Sequence, residues 1–394
     1  MQKPTYIFRQ NDTHYIVPAI QGIQGGKRMF CANLKHRHVA AMIPPVDQLA
    51  EAADRAQRKL NKTRAMGIAR YVRDSEDSYV LPALTVSLLE TGMREVTFQP
   101  IAEGEEFGEL YIPINHKVLL NDGQHRHCAI GEILKTCEHA VHDNIVLTVY
   151  AGVSHACADQ MFVDINLNAV KPSGSINTLY NHRDPWSSLA VAVSKKAKIL
   201  GTRTEVEAGN CSVNSHKTFP LRGIVSFAKK LLPNDPRPES FDDNVAYLTE
   251  ILDAIHDNTV VWREITKTDY WTDEKTATKA DPSMIQLNRR MSLACSVLML
   301  DAVGFYMREH MSQQFFKDKN MSQPERIHLA AATLSDINWD KDHPQWEGRA
   351  VRAGKLIKNK VSVLLTSNIL IKHAGISMPM ENESLESKFS EIYG

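Results

Sequence analysis

Residues 117–134 read KVLLNDGQHRHCAIGEIL, and five consecutive positions, Asp122, Gly123, Gln124, His125 and Arg126, bring together a carboxylate, a glycine, an amide, an imidazole and a guanidinium. The apolar run before Asn121 predicts a strand, Asn121-Asp122-Gly123 a turn, and Gln124 to Leu134 a helix. At such a junction Gly123 can take a positive φ and let a ligand come close to the backbone. Asp122 suits the N-cap, where its carboxylate would accept from the first helical turn. The unpaired N–H groups of that turn, at the positive end of the helix dipole, make an anion site. Arg126 lies in the same turn and can grip a phosphate with two parallel hydrogen bonds. The chemistry expected of Asp122, Gly123, Gln124, His125 and Arg126 is therefore phosphate or nucleotide binding. If a water or hydroxyl is activated there, Asp122 and His125 are the candidate catalytic groups. Plainer readings stand beside these: Arg126 as an ion-pair partner, Asp122 as a turn former, His125 and His127 as satisfied polar residues.

Two basic series could meet DNA. Arg55, Arg58, Lys59 and Lys62 fall at helical spacing and lead into Arg64, Arg70 and Arg73, while Arg349, Arg352, Lys355 and Lys358 form an i, i+3 stripe. Each is either a solvated face or a contact to phosphates. Against 46 basic and 46 acidic residues in total, such clustering means that charge is unevenly spread, as a phosphate-backbone binder requires. Cys128, Cys137, His139 and His142 match no usual zinc spacing, so no metal is expected. Cys31 reads as a buried strand thiol, with a redox or DNA-contacting role as the alternative. Gly22 to Arg28 fails as a P-loop, because the glycines are misplaced and Arg28 stands where a Ser or Thr is needed. No HExxH or nucleophile elbow occurs.

The elements that must position these residues change character along the chain. Short strands are expected over 5–35, broken at Gly22, Gly25 and Gly26, and a helix on Leu49, Ala52, Ala53 and Ala56. A second helix over 62–73 should bury Met66, Ala69 and Tyr71 or Val72. Strands follow at 84–89, 95–98, 110–113, 117–120 and 144–150, and a helix at 155–166. Beyond Pro185 helices dominate, at 186–199, 221–232, 242–256, 284–310 and 344–373, with a polar loop over 271–282. The fold class expected is α+β: a mixed domain over 1–184, then a mainly helical region over 185–394.

With 394 residues, 43% hydrophobic and 23% charged, the chain has the composition of a folded protein with a filled core. A net charge of zero gives no argument for a nucleic-acid partner from total charge. No apolar run approaches the length of a membrane span, and the polar start lacks a signal-peptide core. A cytoplasmic location follows as an expectation, and in such a compartment six dispersed cysteines without a CxxC pair are expected to be reduced thiols rather than a disulfide framework.

DGQHR between strand and helix has companions in order. Upstream, Arg58-Lys59-Leu60-Asn61-Lys62-Thr63-Arg64 leads into Ile68-Ala69-Arg70-Tyr71; downstream, Phe162-Val163-Asp164-Ile165-Asn166 is followed by Lys171. With these three segments the sequence resembles DndB-type proteins of the DGQHR family. Gly123, Arg126 and Ala129 also form a GxxRxxA pattern similar to the phosphate-contacting motif of the ParB and sulfiredoxin superfamily. The resemblance implies a ParB/sulfiredoxin-like N-terminal domain and a role in bacterial DNA phosphorothioation, where sulfur replaces a non-bridging phosphate oxygen. It further implies a double-stranded-DNA-binding negative regulator of its gene cluster, with other proteins of the sulfur-modification machinery as partners. Homo-oligomerisation is left open. A second class stays in view: a nucleotide-hydrolysing or phosphoryl-transferring enzyme holding a nucleoside triphosphate at the turn.

Overall fold

The computed structural model describes residues 7–43, 60–90, 95–167, 171–267, 284–313, 319–357 and 359–393. The chain divides into two compact units, 1–170 and 171–394.

The first unit is organised by period-two alternation. In β2 (His14–Gln24) and β3 (Lys27–Lys35), which follow the short β1 (Arg9–Gln10), inward residues such as Val17, Phe30, Ala32 and Leu34 are buried while their neighbours face out. Cys31 is one of the outward residues; the expectation that its thiol is buried fails because Ala32 and Phe30 hold the inner face. After α1 (His36–Met42) and α2 (Lys62–Ser75) come β4 (Leu84–Leu89), β5 (Thr97–Pro100), β6 (Phe107–Pro113) and β7 (Val118–Asp122). Then α3 (Gln124–Thr136), β8 (Asn144–Val153) and α4 (His155–Leu167) complete the unit. The strands form one mixed sheet in the order β5-β6-β2-β3-β8-β4-β7, with β1 beside β2. Within it β4 and β8 run parallel and the other pairings are antiparallel.

Alternation along β7 assigns its two faces. Leu120 joins Val86, Leu88 and Ile130 of α3 in the main core, whereas Leu119 joins Leu89, Tyr150, Val153 and Ala158 of α4. Helices therefore cover both faces. α2 lies on α3, packing Ala69 and Val72 against Ala129 and Ile133. Met66, expected inside, is half-exposed, and Ala65 takes the buried position one residue earlier.

The second unit is mainly helical: α5 (Gly174–Tyr180), α6 (Pro185–Ser194), α7 (Leu221–Leu231), α8 (Phe241–Asn258), α9 (Val260–Lys267), α10 (Met284–Met291), α11 (Val297–Met311), α12 (Gln323–Ala332), α13 (Lys360–His373) and α14 (Met380–Tyr393). Its core includes Trp186, Phe219, Phe227, Tyr306 and Trp346. The short strands β9 (Thr204–Glu205) and β10 (Phe219–Pro220) pair in parallel, and β11 (Val351–Arg352) and β12 (Lys355–Leu356) form a hairpin.

Two expectations here are corrected. The helix expected over 284–310 is broken, because the Leu293 N–H bonds to the Trp339 carbonyl at 2.8 Å and Ser296 caps a new helix through the Met299 N–H. The helix expected over 344–373 begins only at Lys360, where Asn359 and Ser362 form a reciprocal cap. Ahead of it, Ala353 and Gly354 sit at φ 48° and 73°, which a helix does not accept but a two-residue hairpin turn requires. The helix expected on residues 49–56 and the loop over 271–282 lie outside the described residues.

Candidate functional site

Strand β7 ends at Asp122, Gly123 turns the chain, and α3 starts at Gln124. Gly123 has φ 97°, and a Cβ there would strike the Leu84 side chain, so both conformation and space demand glycine. Gly123, not Asp122, is the N-cap, and no side chain among the described residues caps α3. The expected capping role of Asp122 is thus corrected: it remains in the ladder opposite Thr85, and its carboxylate turns to Arg126 instead. The first-turn N–H groups of Gln124, His125 and Arg126 consequently have no intrahelical acceptor.

Arg126 Nη2 donates to Asp122 Oδ2 at 2.7 Å and to the Ala83 carbonyl at 2.9 Å. Its side chain is only 17% exposed, and its buried Nε has no hydrogen-bond partner among the described residues. This is an arginine braced against the β4 and β7 strands' ends. The nearby Arg64 is different: it is exposed, lies in the first turn of α2, and makes no ion pair among the described residues.

Asn61 joins the two helix starts. Its Oδ1 accepts from the Arg64 N–H at 3.1 Å, capping α2, while its own N–H donates to His125 Nε2 at 3.2 Å. Accepting at Nε2 requires the neutral ring with its proton on Nδ1. Burial, then the charges of Arg64 and Arg126, lower the His125 pKa and favour that neutral form. His127 faces the opposite way, buried and bonded to the Ile43 carbonyl at 3.0 Å, with burial lowering its pKa.

On the far side, Asn121 is buried and fully used. Its Oδ1 accepts from Ser87 Oγ at 2.7 Å, and its Nδ2 donates to the Ala158 carbonyl at 2.8 Å, fastening β4, β7 and α4 together. That linkage brings Phe162 and Asn166 of α4 to the turn. The result is a small cavity of about 90 Å³ walled by Arg64 and Ile68 of α2, the turn from Leu120 to Arg126, and Phe162 and Asn166. Residues from all three sequence segments, far apart in the chain, meet at this one place. In sequence Asn121 reads as a turn former and Ser87 as an ordinary strand residue; neither carries a local signal for a buried tie.

The other candidate residues fare differently. Lys62 is exposed beside Arg64, while Arg58, Lys59 and Lys358 lie outside the described residues. The C-terminal helical stripe does not exist. Arg349 is buried in a two-pronged pair with Glu386, both contacts 2.6 Å, and sits 3.9 Å from the Phe389 ring centroid. Arg352 and Lys355 face each other across the β11–β12 hairpin. Cys137 is buried, His139 bonds the Val72 carbonyl at 3.3 Å, and no group of three metal-ligating side chains gathers among the described residues.

The sequence matches a family described as DndB, DNA-sulfur modification-associated, over residues 17–377. The chain belongs to the DndB family. That match spans both units and contains every residue of the cavity wall. No curated protein and no solved structure matches the chain. Among the described residues, no helix of this DndB-family protein is long and apolar enough to cross a membrane.

Proposed function

We propose that this DndB-family chain is a DNA-binding regulator of DNA sulfur modification, holding a backbone phosphate at the cavity where α2, α3 and α4 meet. The observation that carries the reading is the convergence there of a helix start that no described side chain caps with the exposed Arg64, which makes no ion pair among the described residues. Open N–H groups, a helix dipole and a guanidinium are what a phosphate oxygen needs. Arg126, braced by Asp122, sets the shape of the turn and adds its charge from behind. Unit 1 is then a ParB/sulfiredoxin-like phosphate holder built on Gly123, Arg126 and Ala129. Lys62, exposed beside Arg64, would extend contact along the duplex, and Arg352 and Lys355 on the exposed hairpin are further candidate phosphate contacts within the second unit. Phosphate contacts set register and affinity but carry no base sequence.

A volume of about 90 Å³ suits a phosphoryl group better than a whole nucleoside triphosphate. Asp122 is committed to an ion pair and His125 Nε2 to the Asn61 N–H, so neither is poised as a base. Both points favour binding over hydrolysis.

The test is equilibrium binding of the full chain to duplex DNA across salt concentrations, where the log–log slope should be about −0.9 per phosphate contacted. Arg64→Ala should weaken binding about tenfold, the cost of one charge-assisted contact. Salt-insensitive binding, or an Arg64→Ala protein that binds like the parent, would refute the reading. Phosphate release from ATP dependent on His125 would move the assignment to the enzymatic class.

A further inference from the structure

The second unit contains a larger cavity of about 440 Å³. Three helices begin at its wall: α7 after Pro220, α11 after Ser296 and α13 after Asn359. Each helix start presents the positive end of its dipole, and the Pro220 cap has no side chain with which to satisfy the first turn of α7.

Three cations line the same space, Arg222, Arg289 and Lys341, and none makes an ion pair among the described residues. They donate instead to neutral oxygens. Arg222 reaches the Gly209 carbonyl and the Asn210 side chain. Arg289 reaches the carbonyls of Cys295 at 3.2 Å and Thr218 at 3.0 Å, and Lys341 that of Arg290 at 3.1 Å. Burial and then the charge of Arg289 lower the Lys341 pKa, so the two cations work against each other. Arg289 also hydrogen-bonds the Cys211 side chain, and its buried Nε has no geometric hydrogen-bond partner among the described residues.

Among the described residues the lining contains a single carboxylate, Asp301. Its Oδ2 accepts from Ser226 Oγ at 2.9 Å and its buried Oδ1 has no hydrogen-bond partner among the described residues. Burial pushes its pKa up to about 6, so at neutral pH it still supplies one negative charge against the three cations. The remaining wall is partly apolar, with Leu298, Leu356 and Val363. Positive charge left uncompensated in a partly enclosed space favours an incoming anion. Three cations and three helix starts exceed what one carboxylate group would balance, which points to a phosphoryl dianion.

We propose that this cavity binds an organic phosphate of about mononucleotide size, its phosphoryl group toward Arg222, Arg289 and Lys341 and its carbon body against Leu298, Leu356 and Val363. A volume of about 440 Å³ falls within the range of small-molecule sites, roughly 300–1,000 Å³. The site is separate from the cavity of the first unit and does not rest on the DNA-binding reading.

Calorimetric titration of the full chain with inorganic phosphate, deoxyadenosine monophosphate and deoxyadenosine tests it. The monophosphate should bind, inorganic phosphate more weakly, and the nucleoside not measurably. Arg222→Gln removes one charge at the rim and should weaken monophosphate binding about tenfold. Val213→Trp, at a half-exposed wall position, fills the space without touching any charge and should block binding even if Arg222→Gln folds poorly. Arg64→Ala should bind the monophosphate like the parent, which separates this site from the first. Competition by a 5′-phosphorylated oligonucleotide would identify the phosphate's source as a nucleic-acid end, and its absence a free nucleotide. The inference is overturned if no phosphate compound binds at millimolar concentration, if both cavity variants bind normally, or if Arg64→Ala abolishes binding.

Discussion

The Asn61 backbone N–H donates to His125 Nε2 at 3.2 Å across 64 residues of sequence, and this bond ties the start of α2 to the start of α3. Asn61 caps one helix, and His125 sits in the uncapped first turn of the other. Arg64, one turn along α2, thereby lines the same cavity as the start of α3. The ring cannot accept this bond once protonated, so the junction and the neutral imidazole are parts of one arrangement.

Arg64 and Arg126 should separate cleanly. Arg126→Ala strands the Asp122 carboxylate and the Ala83 carbonyl, and should destabilise the protein by about 1–3 kcal/mol. Arg64→Ala removes an exposed side chain and should stay within about 0.5 kcal/mol of the parent while losing DNA affinity. Denaturant melts paired with DNA titrations of both variants check this; equal stability losses would contradict the different roles assigned to them.

Gly123→Ala should be costly although it adds one methyl group. The positive φ costs an L-residue about 1–2 kcal/mol, and the new Cβ must also displace Leu84. A melting temperature unchanged from the parent would show that the turn has freedom to rearrange.

Glu386 predicts an acid limit for the second unit. Burial alone would raise its pKa, but hydrogen bonds from Arg349, Lys372 and Asn368 outweigh that and hold it at about 2. A carboxyl depressed in the folded state stabilises above its unfolded pKa, near 4.5, and loses that contribution as pH falls through about 2. Stability should therefore decline between these values. Glu386→Gln should flatten the decline and cost about 3 kcal/mol at neutral pH, by leaving Arg349 buried without a counter-charge. Thermal melts across pH measure both effects.

Asp301 carries the opposite sign. Its folded pKa of about 6 lies above the ordinary 3.8, so ionising it in place costs stability as pH rises through that interval. In ligand-free protein, Asp301→Asn should raise stability at pH 8 by about 1–2 kcal/mol and leave it nearly unchanged at pH 4. Equal effects at both pH values would show that the carboxyl titrates normally.

Much of the first unit was legible because its signals are local. The strand, turn and helix around Gly123 follow from one apolar run, one turn signal and one helical period. Periodicity also found α2, α4, β4 and β8 to within a few residues. The misses have long-range causes. Arg349 looked like part of a stripe because charge spacing says nothing of Glu386, 37 residues on. The break before α11 depends on the Trp339 carbonyl, and the buried role of Asn121 on Ser87 and Ala158. The candidate site itself was half visible: its motif could be read, but the assignment of brace to Arg126 and open guanidinium to Arg64 needed the Asp122 rotamer.

Among the described strands, β7 is joined to the sheet through β4, and β4 meets the remaining strands through its parallel pairing with β8. A ribosome delivers these pieces in the inconvenient order: the DGQHR turn emerges before residues 144–153, which must anchor it, and before α4, which closes its wall. Parallel pairing cannot form from adjacent chain and waits for the later strand. A nascent chain that has just displayed the motif therefore has no finished pocket. The cavity is complete only after β8 and then α4 have emerged, so that a prematurely terminated chain ending near residue 140 would carry the DGQHR turn without the cavity around it.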